Sequence, residues 1–161
     1  MSNYIPNPFN ADLQPDDIRV AIVTAEWNGH ITSRLTESCV ETLKKHGLTD
    51  ECIDTFIVPG AVELTFGASS LIESGLYDVV IVFGCVIRGG TPHFDYVCQS
   101  VTQGITHLNA DCDIPVIFGV LTVDNEQDAL DRCGGKAGDK GAEAAEAALK
   151  MHAFAQQVKD L

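Results

Sequence analysis

Four short runs of apolar residues, rich in β-branched side chains, recur along the chain between segments with helical spacing. Such runs are typical of strands buried on both faces of a sheet, and they cover residues 19–24, 52–58, 79–83 and 115–122. Helical spacing predicts helices at about 31–46, 62–74, 92–109 and 142–156, and a short one from 125 to 133. The strict alternation predicts an α/β protein, a three-layer α/β/α sandwich around a four-stranded parallel core sheet.

The first 17 residues differ from the rest of the chain because they contain three Pro and show no periodicity. We therefore predict an extended N-terminal arm over residues 1–17 and a single domain over residues 18–161. A chain of 161 residues suits one domain, which would bury roughly two-thirds of its unfolded surface.

Composition narrows the range of partners. A net charge of −13 argues against nucleic acid or an anionic membrane surface as a partner. No apolar run approaches the ~20 residues of a spanning helix, and the N-terminus has no signal-peptide pattern, so we expect a cytoplasmic protein. Six cysteines without C-x-x-C spacing indicate small buried side chains rather than metal ligands. For Cys85 alone, a role in chemistry is kept as an alternative, because this residue adjoins the candidate site.

The third apolar run leads into the stretch that carries most of the candidate chemistry. The strand is predicted to break at Gly84, and a glycine-rich loop then reaches Thr91 and Pro92. Thr is a good N-cap and Pro suits the first helical position, so His93 is expected in the first turn of a helix. Ligands bind at this edge of open α/β sheets, and a helix start suits a phosphate. The helix dipole disfavours imidazolium there, which makes His93 a candidate neutral base.

Other strand ends are expected to meet at the same crevice. Trp27 follows the first strand and offers a flat surface for a heterocycle, although core packing is the commoner fate of Trp. Glu63 lies in a first helical turn, where it either accepts ligand hydroxyl groups or only interacts with the dipole. Phe118, with Leu121 nearby, is expected to close the crevice. The implied ligands are a flat ring, a hydroxylated chain and a phosphate.

Positive charges are few, and four of the ten lie in glycine-rich turns: Arg88, Arg132, Lys136 and Lys140. In so acidic a chain, this placement suggests a local anion site. Solvated loop charges are the alternative for Lys136, and pairing with acidic neighbours is the alternative for Arg88. Arg132 follows the short helix after the fourth strand, which can direct it to the same crevice as Thr91.

At these residues the chain resembles the lumazine synthases, enzymes of riboflavin biosynthesis, from Arg19 to Gln157. The matching blocks are AEWN at 25–28, PGAVEL at 59–64, GCVIRGGTPHFDYV at 84–97, PVIFGVLTVDNEQDALDR at 115–132 and GKAGDKGAEAA at 135–145. The resemblance implies the flavodoxin-like lumazine synthase fold. It also implies condensation of 5-amino-6-(D-ribitylamino)uracil with 3,4-dihydroxy-2-butanone 4-phosphate, without cofactor or metal.

The resemblance also implies a role for individual residues. His93 would shuttle protons, and the phosphate would be bound by Gly90, Thr91 and Arg132. Trp27 would stack on the pyrimidine, where the family usually has Phe. The pyrimidine and ribityl chain would further contact Asn28, Ala61, Val62, Glu63, Val86, Ile87, Phe118 and Lys140. In the family, the counterparts of Phe118 and Lys140 act across a subunit boundary.

Assembly is implied in the same way. Family members form homopentamers, and in many of them twelve pentamers close into an icosahedral shell. The short turn from 134 to 141 favours the 60-subunit shell, with riboflavin synthase as an enclosed partner. The N-terminal arm would add a strand to a neighbouring subunit, within the limits set by its Pro residues.

Four positions depart from the family pattern: Trp27, Thr65, Val123 and Asp139. Asp139 puts a negative charge beside Lys140 and is expected to weaken the role of that lysine. Two alternatives remain, a flavin-binding or storage protein and a purely structural cage on the same fold. Both would make His93, Thr91 and Arg132 incidental.

Overall fold

The predicted strands form one parallel sheet in the computed structural model of the chain, which describes Phe9 and residues 18–161. The strands are β1 (Val20–Ala25), β2 (Ile53–Val58), β3 (Val79–Ile87) and β4 (Val116–Val123). Their order in the sheet is β2-β1-β3-β4, and every neighbouring pair is parallel. The predicted N-terminal arm lies outside the described residues except for Phe9.

Helices cover both faces of the sheet, as the alternating pattern predicted. They are α1 (Gly29–Lys45), α2 (Leu64–Glu73), α3 (His93–Asp111), α4 (Glu126–Leu130) and α5 (Lys140–Lys159). Successive strand residues point to opposite faces, so Ile22 joins the core under α1 and α5 while Val23 joins the core under α2 and α3. The three-layer α/β/α sandwich is confirmed.

Burial differs between the central and the edge strands. All of β1 is buried, whereas in β2 Phe56 is 38% exposed and Ile57 is 76% exposed. The prediction of four buried strands is therefore wrong for β2. An apolar sequence predicts that a strand is buried, but only the strand order in the sheet shows that β2 lies at the edge.

Gly84 does not end the third strand. β3 continues to Ile87, and Gly84 pairs in register with Val120 of β4. A Cβ atom at Gly84 would lie 3.1 Å from Leu64 of α2, so the glycine lets a helix approach the sheet closely. The predicted break at Gly84 is therefore wrong, and β3 extends four residues further toward the carboxyl edge of the sheet.

The region after β4 contains a small hairpin that sequence reasoning missed. The short helix ends at Leu130 and not at Cys133, and two strands follow, β5 (Cys133–Gly135) and β6 (Gly138–Asp139). Helix α5 begins earlier than predicted because the Asp139 carboxylate accepts the N–H groups of Gly141 and Ala142, at 3.0 and 3.1 Å. A capping carboxylate of this kind stabilises a helix start.

The departure at Thr65 is coupled to a glycine in the facing helix. Thr65 lies in α2, and a Cβ atom placed on Gly104 of α3 would lie 2.2 Å from its hydroxyl oxygen. Replacing Gly by Ala in a helix stabilises the helix by up to about 1 kcal/mol, whereas overpacking costs about 1–3 kcal/mol.

We expect Gly104→Ala to lower the free energy of unfolding, measured by urea denaturation. Adding Thr65→Ala should relieve the clash and restore stability. A single variant as stable as the double variant would contradict the coupling.

Candidate functional site

A cavity of about 540 Å³ opens at the carboxyl edge of the sheet, and we name it the strand-end cavity. It lies where β1 and β3 end and where α2 and α3 begin. Nine predicted site residues line it: Trp27, Asn28, Ala61, Val62, Glu63, Val86, Ile87, Thr91 and His93. Three of the five family-matched blocks, 25–28, 59–64 and 84–97, thus contribute to one volume.

Local backbone contacts position the aromatic wall. Trp27 is 74% exposed, and its N–H donates to the carbonyl of Pro59 at 3.1 Å, which ties the end of β1 to the turn after β2. Asn28 adopts a left-handed conformation with φ 60°, which Asn tolerates better than most residues. Its side-chain amide donates to the carbonyl of Cys85 at 2.8 Å. Trp27 is therefore a surface wall of the cavity and not a core residue.

Glu63 sits just before α2, which begins at Leu64 rather than at the predicted position 62. Its carboxylate lies over Gly60, where an added Cβ atom would be 3.1 Å from Oε2. Glu63 and Val62 are exposed, whereas Ala61 is buried. The turn therefore presents one carboxylate and an apolar wall to the cavity beside Trp27.

The start of α3 differs from the predicted capping arrangement. Pro92, not Thr91, occupies the N-cap position, and no side chain caps the helix. The prediction of a Thr91 cap is wrong because Pro92 takes a helical conformation and its carbonyl already accepts the N–H of Asp95 at 3.0 Å. His93 is the first helical residue and is exposed. Thr91, released from capping, lines the cavity with His93.

Cys85 forms part of the wall of the strand-end cavity. The side chain is buried, and burial raises the pKa of the thiol to about 12, with smaller contributions from Cys133 and Glu126. A protonated thiol is a poor nucleophile at neutral pH. Cys85 therefore lines the strand-end cavity as an apolar side chain and not as a nucleophile.

A second cavity, of about 320 Å³, lies along the outer edge of β4, and we name it the edge cavity. It is lined by Phe118, Leu121, Arg132, Lys140 and Glu143, together with small and apolar residues of β4 and α5. Phe118 pairs with Val82 in the middle of the sheet, so it cannot reach the strand ends. The predictions that Phe118, Leu121 and Arg132 share one crevice with Trp27 and Thr91 are therefore wrong within a single chain.

Three of the four positively charged loop residues form ion pairs with acidic neighbours. Lys136 pairs with Asp131 at 2.9 Å and Lys140 with Glu143 at 2.6 Å. Arg88 pairs with Asp124 at 2.9 Å and with Asp95 at 3.3 Å. The hydrogen bonds that Lys136 and Gln127 donate to the Asp131 carboxylate also hold the pKa of that carboxyl below its usual value.

Arg132 is the exception among these cations. Its Nη1 donates to the carbonyl of Asp128 at 2.5 Å, but its Nε is buried without a hydrogen-bond partner in the described part of the chain. A buried donor of this kind is costly unless a ligand or neighbour satisfies it. Among the loop cations, Arg132 is therefore the best candidate for binding an anion.

Asp139, one of the departures from the family pattern, accepts hydrogen bonds at the start of α5. The two carboxylate oxygens of Asp139 accept hydrogen bonds from the start of α5 and from the Ser38 hydroxyl, the latter at 2.6 Å. The Lys140 ammonium instead contacts Glu143. Asp139 is thus engaged in building the helix start that presents Lys140.

Sequence reasoning missed some of the residues that line the strand-end cavity. Gly89, Phe94 and Val97 line the strand-end cavity, whereas Gly90 does not. Val97 lies four residues after His93, a helical spacing that could have found it, whereas Phe94 is adjacent to His93 and carries no such signal. Over the described residues, no helix is long and apolar enough to cross a membrane, and no group of three potential metal ligands is found.

The parallel sheet, the cavity at its carboxyl edge and the uncapped helix start define a doubly wound α/β protein with a small-molecule site. The family whose sequence model matches the chain, over residues 17–156, is described as 6,7-dimethyl-8-ribityllumazine synthase. The chain belongs to this family, whose members are transferases of riboflavin biosynthesis.

Curated relatives support the same assignment. The chain is 50% identical to 6,7-dimethyl-8-ribityllumazine synthase of Phocaeicola vulgatus, over 94% of this chain and 90% of the relative. It is 54% identical to the enzyme of that name from Parabacteroides distasonis, over 91% of each chain. The corresponding protein of Bacteroides fragilis is 52% identical over 85% of this chain and 96% of the relative.

Proposed function

We propose that this chain condenses 5-amino-6-(D-ribitylamino)uracil with 3,4-dihydroxy-2-butanone 4-phosphate to give 6,7-dimethyl-8-ribityllumazine, phosphate and water. Membership of the family supports this reaction. The observation that carries it from the structure is the strand-end cavity, where an exposed aromatic ring, a carboxylate and a histidine line one volume.

The complete site is composed of the two cavities of neighbouring subunits. The strand-end cavity holds His93 but no free cation among its lining residues, whereas the edge cavity holds Arg132 with its unpartnered Nε. In this arrangement Arg132 joins Phe118 and Lys140 as residues supplied by the adjacent chain. Trp27 in the strand-end cavity is 74% exposed and Phe118 in the edge cavity is 42% exposed, which supports burial of both cavities against another copy.

Each lining residue then has a chemical task. Trp27 stacks on the pyrimidine ring, and Glu63 accepts hydrogen bonds from ribityl hydroxyl groups. The remaining ring and ribityl contacts come from Asn28, Ala61, Val62, Val86 and Ile87, and from Phe118 and Lys140 of the neighbour. Gly90 and Thr91 bind the phosphate from one side and Arg132 from the other, because a guanidinium suits phosphate oxygens.

His93 moves the protons that the reaction requires. Attack of the pyrimidine amine on the ketone forms an imine and releases water. Loss of phosphate follows, and the ribitylamino nitrogen then closes the ring on the remaining carbonyl carbon with loss of a second water. Each step needs a proton taken from carbon or nitrogen, or delivered to a leaving oxygen. One histidine at the cavity wall can serve as base and then as acid.

The assembly is part of the proposal. The family resemblance supports a homopentamer, a head-to-tail ring in which each strand-end cavity would meet the edge cavity of a neighbour, and twelve pentamers would form a 60-subunit shell in the cytoplasm. The hairpin of β5 and β6 that leads into α5 is short, which supports the shell. Riboflavin synthase would be its enclosed partner.

The proposal is tested by mixing the purified protein with both substrates and following the absorbance of the lumazine product. We expect product to form faster than in the uncatalysed mixture. Thr91→Ala combined with Arg132→Gln should remove most of this gain by weakening phosphate binding. Wild-type protein that gives no gain over the uncatalysed rate would overturn the proposed function.

A further inference from the structure

Arg88 makes a set of contacts that the proposed mechanism does not use. Its Nε donates to Asp124 at 2.9 Å, and its Nη1 donates to Asp95 at 3.3 Å. The guanidinium carbon lies 4.1 Å from the centre of the Phe94 ring, within the range of a cation–π interaction. The backbone N–H of Arg88 donates to the carbonyl of Val123 at 2.9 Å.

These contacts join two elements that bear on the site. Asp124 follows directly after β4, whereas Phe94 and Asp95 lie in the first turn of α3, next to His93. Phe94 also lines the strand-end cavity. Arg88 therefore fastens the start of the helix that carries His93 to the end of the sheet.

The same contacts have an electrostatic consequence. Asp95 and Asp124 flank the loop that leads through Gly90 to Thr91, in a chain with a net charge of −13. Unpaired carboxylates near this loop would repel a phosphate group. The single guanidinium of Arg88 contacts both carboxylates and offsets their charge.

We propose that Arg88 is a positioning residue that orients the first turn of α3 and screens Asp95 and Asp124 from the phosphorylated substrate. This inference rests on the proposed function, because it assigns phosphate to the Gly90 and Thr91 loop. A guanidinium is suited to both tasks, since it stacks flat on a ring while its planar fork donates to two carboxylates.

The chain offers a matched control in Arg19. Its guanidinium pairs with Asp54 at 3.1 Å and lies 5.7 Å from the centre of the Tyr77 ring. The exposed fractions of the two arginine side chains are alike, 49% for Arg19 and 47% for Arg88. Arg19, however, precedes β1 at the end of the sheet opposite the strand-end cavity.

The first experiment compares the kinetics of Arg88→Gln, Arg88→Lys and Arg19→Gln. For Arg88→Gln we expect kcat to fall about tenfold or more, since small misplacements of catalytic groups are costly. KM for the butanone phosphate should rise while KM for the pyrimidinedione stays within about twofold. Arg88→Lys keeps the charge without the stacked fork, so it should restore that KM but not kcat. Arg19→Gln should match wild type.

A charge-removal variant separates the two tasks. In Arg88→Gln/Asp95→Asn/Asp124→Asn the carboxylates are gone, so KM for the phosphorylated substrate should return to the wild-type value while kcat stays low. Arg88→Gln kinetics equal to those of Arg19→Gln, or equal rises in both KM values, would overturn the inference.

Binding of inorganic phosphate, measured by titration calorimetry, tests the inference without turnover. We expect Arg88→Gln to weaken phosphate binding severalfold relative to wild type and Arg19→Gln. Equal phosphate affinity in all three proteins would overturn the screening role. An inactive wild type that still shows this difference would reject the proposed reaction but retain the role of Arg88.

Discussion

We expect His93→Ala to lower kcat by about 10²–10⁴-fold, the range typical of one positioned acid–base group. His93 begins α3 and lines the strand-end cavity with Trp27 and Glu63. Turnover should persist above the uncatalysed rate because the site still holds two substrates together. Such positioning can contribute about 7–11 kcal/mol at best. Single-turnover absorbance measurements of lumazine formation would give the rate directly.

His107→Ala is the matched control for this variant. His107 lies in the same helix and is also exposed, but it is outside both cavities. The control should retain the wild-type rate and the wild-type unfolding midpoint. Undiminished kcat in His93→Ala would remove His93 from the mechanism.

The second large effect concerns the composite site. His93→Ala and Arg132→Ala each disable one half of it, so each variant alone should be nearly inactive. When the two chains are assembled together in equal amounts, about a quarter of the sites receive an intact half from each neighbour. The mixture should therefore recover about a quarter of wild-type activity, measured after joint refolding or co-expression.

A second mixture makes this result decisive. Wild-type chain assembled with the double variant His93→Ala/Arg132→Ala should also show about a quarter of wild-type activity if neighbours share each site. If each site belonged to one chain, this mixture would retain about half of the activity, and the mixture of single variants would recover nothing. The two mixtures thus distinguish a shared from a single-chain site.

The starts of α3 and α5 show how well residue propensities predict helix N-caps. The sequence correctly placed α3 just after the glycine-rich loop, but it placed the start of α5 at residue 142, two residues after its observed start at Lys140. It assigned the wrong cap in the first case because Pro92 itself takes the N-cap position. In the second it overlooked Asp139 as the cap. Propensities rank residues for a position, but neighbouring hydrogen bonds decide which residue occupies it.

Long-range features escaped the sequence for a different reason. Phe118 belongs to a predicted strand and Arg132 to the end of a predicted helix, and both were expected at one shared crevice, yet they line the edge cavity rather than the strand-end cavity. Gly84 was predicted to break the strand, although in the fold its lack of a side chain lets Leu64 of α2 pack closely against β3. Both outcomes depend on which elements become neighbours in space, and residue periodicity contains no information on that.

By itself, the sequence determined the alternation of strands and helices, the parallel sheet and the family blocks that place Trp27, Glu63 and His93 at strand ends. The alternation follows from local spacing, since hydrophobic periodicity acts within a few residues, whereas the blocks rest on the resemblance to the family. Only the tertiary structure decided that β2 and β4 are edges, that the site residues divide between two cavities and that Arg132 keeps a buried donor unpaired. Those facts depend on strand order and helix packing, which bring together residues far apart in the chain.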